Sequence, residues 1–93
     1  MAERVHILVT GRVQGVGYRH FTLQQARRLG ITGWVRNLPG GEVEVLASLP
    51  PGTRERFLAA LRRGPPMAEV DGVAVTPAAP QQEPPPAIFR VVH

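Results

Sequence analysis

The chain has no cysteine and no lysine, and among its 93 residues only five are aromatic, one is serine and one is aspartate. Without cysteine there is no disulfide framework and no thiolate chemistry, which suits a reducing compartment. A Ser-His-Asp arrangement would have to come from Ser48, Asp71 and one of three histidines, none of which stands in a nucleophile-elbow context. His6, His20 and His93 fall in separate segments with no paired ligand spacing, so neither a metal site nor a cofactor is expected. His6 reads as a strand residue on an open face, His20 as a neighbour of the loop described below, and His93 as a tail. The N-terminus runs Met1, Ala2, Glu3, Arg4 and then only a short apolar stretch, which is neither a signal peptide nor a membrane span. A soluble, cytoplasmic protein with no membrane partner is expected, and a monomer, since no large apolar surface is apparent.

What is present is a formal charge of +4 carried by eleven arginines. The arginines are spread along the chain, and five aromatics are too few for a base-stacking platform, so nucleic acid is not the expected partner. Attraction to small anions is the safer inference. Residues 1–93 are expected to make one domain.

Val5, Ile7, Val9, Gly11 and Val13 alternate with His6, Leu8, Thr10 and Arg12, the period-two signature of a strand with one apolar face. A helix follows, with Tyr18, Thr22, Ala26 and Leu29 on its inner face, basic residues Arg27 and Arg28 in its last turn, and Gly30 after its end. Residues 32–38 and 42–46 read as strands joined by the Pro39-Gly40-Gly41 turn, a hairpin. Gly52 or Thr53 would cap a second helix carrying Phe57, Leu58 and Leu61, which ends at Gly64 and Pro65. Residues 70–75 form a fourth strand, residues 77–87 a proline-rich connection, and residues 88–92 a last strand that docks back on the sheet. This order is the split βαβ, ferredoxin-like α+β arrangement: an antiparallel sheet, two helices on one face, and an extra C-terminal strand.

The chain is organised around residues 11–19, GRVQGVGYR, between the first strand and the first helix. Three glycines in seven positions let successive N–H groups turn inward as a partly positive cup. That cup opens at a helix N-terminus, where unpaired donors and the dipole favour an anion. Arg19 adds a permanent charge and a planar fork of donors that matches phosphate oxygens. The stretch lacks the Lys and Ser/Thr of a Walker loop, and His20 stands where a dinucleotide fingerprint needs its third glycine. Nucleotide binding is therefore disfavoured. Glu42 and Glu44 share one face of the third strand and read as a solvated face rather than an acid/base pair. Asn37 ends the second strand before Pro39; it is either a local turn residue or an amide able to orient a water.

Taken together, GRVQGVGYR at 11–19, GWVRNLP at 33–39 and RRGPP at 62–66 resemble the acylphosphatase family, in order and over essentially the whole chain. The last strand, Ile88, Phe89 and Arg90, is similar to the family's closing strand. The resemblance implies a ferredoxin-like fold and hydrolysis of the carboxyl–phosphate bond of acyl phosphates, with inorganic phosphate as a product. It also implies that Gln14, Gly15, Val16, Gly17 and Tyr18 form the phosphate loop, that Arg19 is the phosphate-binding arginine, and that Asn37 is the water-orienting asparagine. Gly40 departs from the family pattern, which often has Asp after the LP. A carboxylate leaving group needs no general acid at neutral pH, which fits the absence of one here. Two other readings stay open: a non-catalytic anion-binding module on the same fold, and an RNA-binding domain, which would need aromatic residues in the central strands. Acylphosphatase-like domains also occur within larger maturation enzymes, but a chain of one domain fits the free-standing enzyme.

Overall fold

The computed structural model describes residues 2–79 and 88–93. In chain order these form β1 (Glu3–Arg12), α1 (Tyr18–Arg28), β2 (Thr32–Asn37), β3 (Val43–Leu49), α2 (Arg54–Arg63), β4 (Glu69–Pro77) and β5 (Phe89–Val92). The strands make one sheet in the order β4, β1, β3, β2, β5. β3 runs antiparallel to both β1 and β2, and β4 antiparallel to β1. The expected extra strand is present, but it lies parallel to β2, so the sheet is mixed. A strand that arrives through a long connection from the opposite edge is not held to the antiparallel direction a tight hairpin imposes.

Alternation decides which face is covered. Val5, Ile7 and Val9 of β1, Val35 of β2, and Val43, Val45, Ala47 and Leu49 of β3 are all buried under the helices. α1 contributes Tyr18, Thr22 and Ala26 to that layer, and α2 contributes Phe57, Leu58, Ala60 and Leu61. Phe89 of β5 closes the core edge-on to Phe57, with ring centroids 6.5 Å apart and planes at 72°. Aromatic pairs favour this geometry because the positive ring edge meets the negative face. α1 lies over β2 and β5 and α2 over β4. Among the described residues no helix is long and apolar enough to cross a membrane.

Several boundaries differ from the sequence reading for physical reasons. β3 runs on to Leu49 because Ala47, Ser48 and Leu49 find partners in Val5, Arg4 and Glu3 of β1. Pro77, expected in the connection, is the last residue of β4, and pairing continues one step further as the Ala78 N–H donates to the Arg4 carbonyl at 3.0 Å. β4 is an edge strand, where a residue without an N–H is tolerated. Residues 80–87 of that connection lie outside the described residues. Thr53 does precede α2, but its hydroxyl donates back to the Pro50 carbonyl at 2.7 Å and caps no helical N–H.

Gly33 is required by a close approach. It has φ 138°, and a Cβ placed there would sit 1.9 Å from the Leu46 carbonyl oxygen on β3. The obstacle is backbone and cannot swing aside.

The uncovered face carries the polar side of the same strands. Glu44 lies centrally, with His6 Nε2 at 2.6 Å on one carboxyl oxygen and Arg36 Nε at 2.5 Å on the other. The Arg36 guanidinium in turn sits 5.0 Å from the centre of the Trp34 ring. Glu44 is thus the hub of an ion-pair cluster rather than half of an acid/base pair with Glu42, which precedes the strand. Burial alone would raise the Glu44 carboxyl, but hydrogen bonds and charge from His6 and Arg36 outweigh it and hold it below its ordinary range.

Two outcomes follow from this architecture. Gly33→Ala should destabilise the fold by at least about 2 kcal/mol, read as a fall in thermal midpoint of roughly 8 °C or more. For Glu44, a carboxyl lowered on folding stabilises the protein above the ordinary carboxyl range, and that increment is lost as pH falls below about 4 to 5. Denaturant unfolding of wild type and Glu44→Gln should therefore differ by about 1 kcal/mol at pH 7 and converge towards pH 3. A gap that stays constant across that range would remove the carboxylate's charge from the explanation.

Candidate active site

β1 and β2 are each antiparallel to β3, so they run the same way and end at the same edge of the sheet. α1 begins at that edge because it follows β1 directly. β5, parallel to β2, also ends there. A cavity of about 370 Å³ opens at this edge, lined by Val13, Gly15, Gly17, Tyr18, Arg19, His20, Asn37, Val91 and His93. Its size falls in the range of small-molecule sites. Among the described residues the lining includes one permanently charged side chain, Arg19, and no acidic side chain.

The loop leading into α1 turns at Gly15 and Gly17, whose φ values of 73° and 81° are left-handed. Gly17 is the N-cap of α1; no side chain caps the helix, and its first turn holds no acidic residue. Early amide donors of a helix have no partner within it, so this end keeps its attraction for an anion. The position of that end is set from inside the fold. Tyr18 is 1% exposed, and its hydroxyl donates to the Leu61 carbonyl in α2 at 2.7 Å. Burial pushes the phenol well above its ordinary pKa, so Tyr18 serves as a neutral anchor. Thr22, also buried, donates to the Tyr18 carbonyl at 2.9 Å.

Gln14 and Val16, grouped with the loop on sequence grounds, do not line the cavity. Val16 packs against the core. Gln14 uses its side-chain NH2 to donate to two carbonyls of the neighbouring hairpin, Leu38 and Glu42, each at 2.8 Å. The hairpin is itself closed by Leu38 N–H to the Glu42 carbonyl at 2.9 Å and Gly41 N–H to the Leu38 carbonyl at 3.1 Å. Glu42 also folds over the turn: a Cβ on Gly40 would lie 2.5 Å from its carboxyl oxygen. An Asp at position 40 would put a second negative charge beside it.

Asn37 follows Val35 by two residues, so its side chain points to the covered face and into the cavity. It makes no local turn hydrogen bond through Oδ1; that atom is shielded and finds no partner among the described residues. Buried polar atoms are rarely left so, and an unpaired acceptor facing a cavity marks a place for a donor from outside the protein. His20 lines the cavity as its sequence neighbourhood suggested.

The sequence reading missed His93 and Val91. Val91 pairs with Val35 in parallel register and faces the same side, so His93, two residues on, falls beside Asn37. Its Nδ1 lies 3.1 Å from the Arg19 guanidinium. The alternation was available in the sequence, but the partner and direction of the last strand were not. Among the described residues no cluster of His, Asp or Glu is arranged to hold a metal ion.

The comparisons with known proteins agree on one family. Its model, described as Acylphosphatase, matches residues 5–90. An acylphosphatase of Methylococcus capsulatus is 53% identical over 73 residues, which cover 78% of this chain and 79% of that protein. One from Halorhodospira halophila is 47% identical over 89 residues, covering 96% and 94% respectively. The crystal structure of acylphosphatase from Bacillus subtilis superposes with a TM-score of 0.89 at 34% identity, each chain covered in full at 100%. With the family model spanning nearly every described element and relatives this close over most of their own length, the chain belongs to the acylphosphatase family.

Proposed function

We propose that residues 1–93 act as one catalytic domain that hydrolyses acyl phosphates to a carboxylate and inorganic phosphate, with no cofactor. The observation that carries this reading is the convergence of Arg19, the uncapped start of α1 and the Asn37 Oδ1, unpartnered among the described residues, on one cavity that no described acidic side chain lines.

The phosphoryl group would sit against the backbone N–H groups of residues 15–19, with Arg19 on its oxygens. Charge in a loose phosphoryl-transfer transition state spreads over the equatorial oxygens, so fixed donors aimed there supply most of the rate. Asn37 would hold the attacking water, accepting a hydrogen bond from it at Oδ1, in line with the bond to be broken. Water oxygen bonds to phosphorus as the bond to the acyl oxygen breaks, and the electron pair leaves on a carboxylate. Its conjugate acid has a pKa of about 4 to 5, so this leaving group departs without a proton. The proton lost by the water passes to a non-bridging phosphate oxygen, so no protein base is needed. Gln14 acts on this reading as a brace between the two loops, and Val16 and Tyr18 contribute backbone donors while their side chains fix the loop to the core.

The test is hydrolysis of benzoyl phosphate by the purified chain beside a stable phosphate monoester. Cleavage of the acyl phosphate alone is expected. Arg19→Ala should abolish measurable turnover and weaken inhibition by phosphate. Asn37→Ala should lower kcat by about two to three decades, equivalent to some 3 to 4 kcal/mol, with phosphate inhibition nearly intact. Normal turnover in Asn37→Ala would remove Asn37 from the mechanism. Bound phosphate with no turnover in the wild type would turn the protein into an anion-binding module.

A further inference from the structure

Arg19 forms no ion pair with a carboxylate among the described residues; the pairs found there join Glu44 to His6 and Arg36, and Glu3 to Arg54. Its guanidinium is held instead by His93 Nδ1 at 3.1 Å. Arginine can only donate, so Nδ1 must be the acceptor and the neutral ring carries its proton on Nε2. We propose that His93 is a positioning residue: its neutral imidazole, delivered by β5, holds the Arg19 guanidinium at the mouth of the Gly-rich loop before phosphate arrives. The inference rests on the reading of Arg19 as the phosphate-binding arginine.

The chemistry of the acceptor matters. A long arginine side chain loses up to about 2 kcal/mol of rotamer freedom when a ligand fixes it, and a hydrogen bond made beforehand removes part of that cost from binding. A carboxylate would order the guanidinium as well, but it would cancel the positive charge and repel the incoming phosphate. A neutral ring nitrogen orders without neutralising. It engages one terminal nitrogen, and Arg19 retains further N–H donors for the phosphate. Parallel pairing of β5 with β2 is what brings the ring within reach, since Val35 opposite Val91 sets His93 beside Asn37.

Three variants, His93→Phe, His93→Asn and Arg19→Ala, are compared with wild type by titration with inorganic phosphate and by steady-state hydrolysis of benzoyl phosphate. His93→Phe keeps a ring and deletes the acceptor; phosphate Kd and the KM for benzoyl phosphate should both rise about five- to tenfold, with kcat changed less than about twofold. His93→Asn places Oδ1 near the lost Nδ1 and should return both constants to within about twofold of wild type. Arg19→Ala should weaken phosphate at least as much as His93→Phe does. Wild-type or tighter phosphate binding in His93→Phe, beside a weakened Arg19→Ala, overturns the inference and leaves the proposed function standing. Equal losses in His93→Phe and His93→Asn also overturn it, because the acceptor would then be irrelevant. Undiminished phosphate affinity in Arg19→Ala overturns the role of Arg19 and the inference together.

Discussion

The antiparallel pairing of β3 with both β1 and β2 is the constraint on which the cavity depends. Two strands that are each antiparallel to a third must point the same way, so their carboxyl ends share an edge. The first of them is followed at once by α1, which places a helix N-terminus at that edge as well. β5 then adds a third carboxyl end by pairing parallel to β2. Among the described residues, the groups lining the cavity come from the loop between β1 and α1, the first turn of α1, the end of β2, and β5 with the residue that follows it. No buried charge is needed to bring them together; the valine-rich layer of β1, β2 and β3 does so.

Polar groups are treated differently on the two sides of the sheet. On the uncovered face Glu44 is satisfied from both sides by His6 and Arg36, and Arg36 also lies over Trp34. At the cavity, among the described residues, the first turn of α1 has no capping side chain and Asn37 Oδ1 has no partner. A shielded acceptor without a hydrogen bond costs about 1 to 3 kcal/mol. The fold tolerates this because the same segment is anchored by groups that are fully satisfied, the Tyr18 hydroxyl on Leu61 and the Thr22 hydroxyl on Tyr18. Order in the interior thus supports disorder of hydrogen bonding at the rim, and that imbalance is where an anion and a water gain most.

Most of the fold was legible because the signals were local. Alternating valines announce β1, the Pro-Gly-Gly turn announces the hairpin, and the Phe57, Leu58, Leu61 stripe announces α2. Arg19 stood out for the same reason, as a charge at the start of a readable helix. Asn37 read locally as a turn residue as well as a water-orienting amide, and only the resemblance of its motif to the family gave it the second role. What escaped depended on partners remote in sequence. The direction of β5 is decided by its pairing with β2, so His93 read as a tail although it reaches Arg19. Gln14 looked like one more residue of the loop because its two acceptors, Leu38 and Glu42, lie 24 and 28 positions away. The reach of β3 to Leu49 was likewise hidden, since the partners that make that apolar stretch a strand come from β1 and from the start of β2, both remote in sequence.

The double hydrogen bond of Gln14 gives the β2–β3 hairpin an unusual status. Surface turns are ordinarily where insertions and deletions accumulate, because the backbone there answers to nothing else. Here the carbonyls of Leu38 and Glu42 are both held by one side chain that belongs to the opposite loop. Lengthening the turn by a residue would pull those two acceptors apart and drag the glycine loop with them. The hairpin is exposed but not independent. Freedom to vary in length is left instead to segments such as the Pro50–Thr53 turn, whose hydrogen bonds close on themselves.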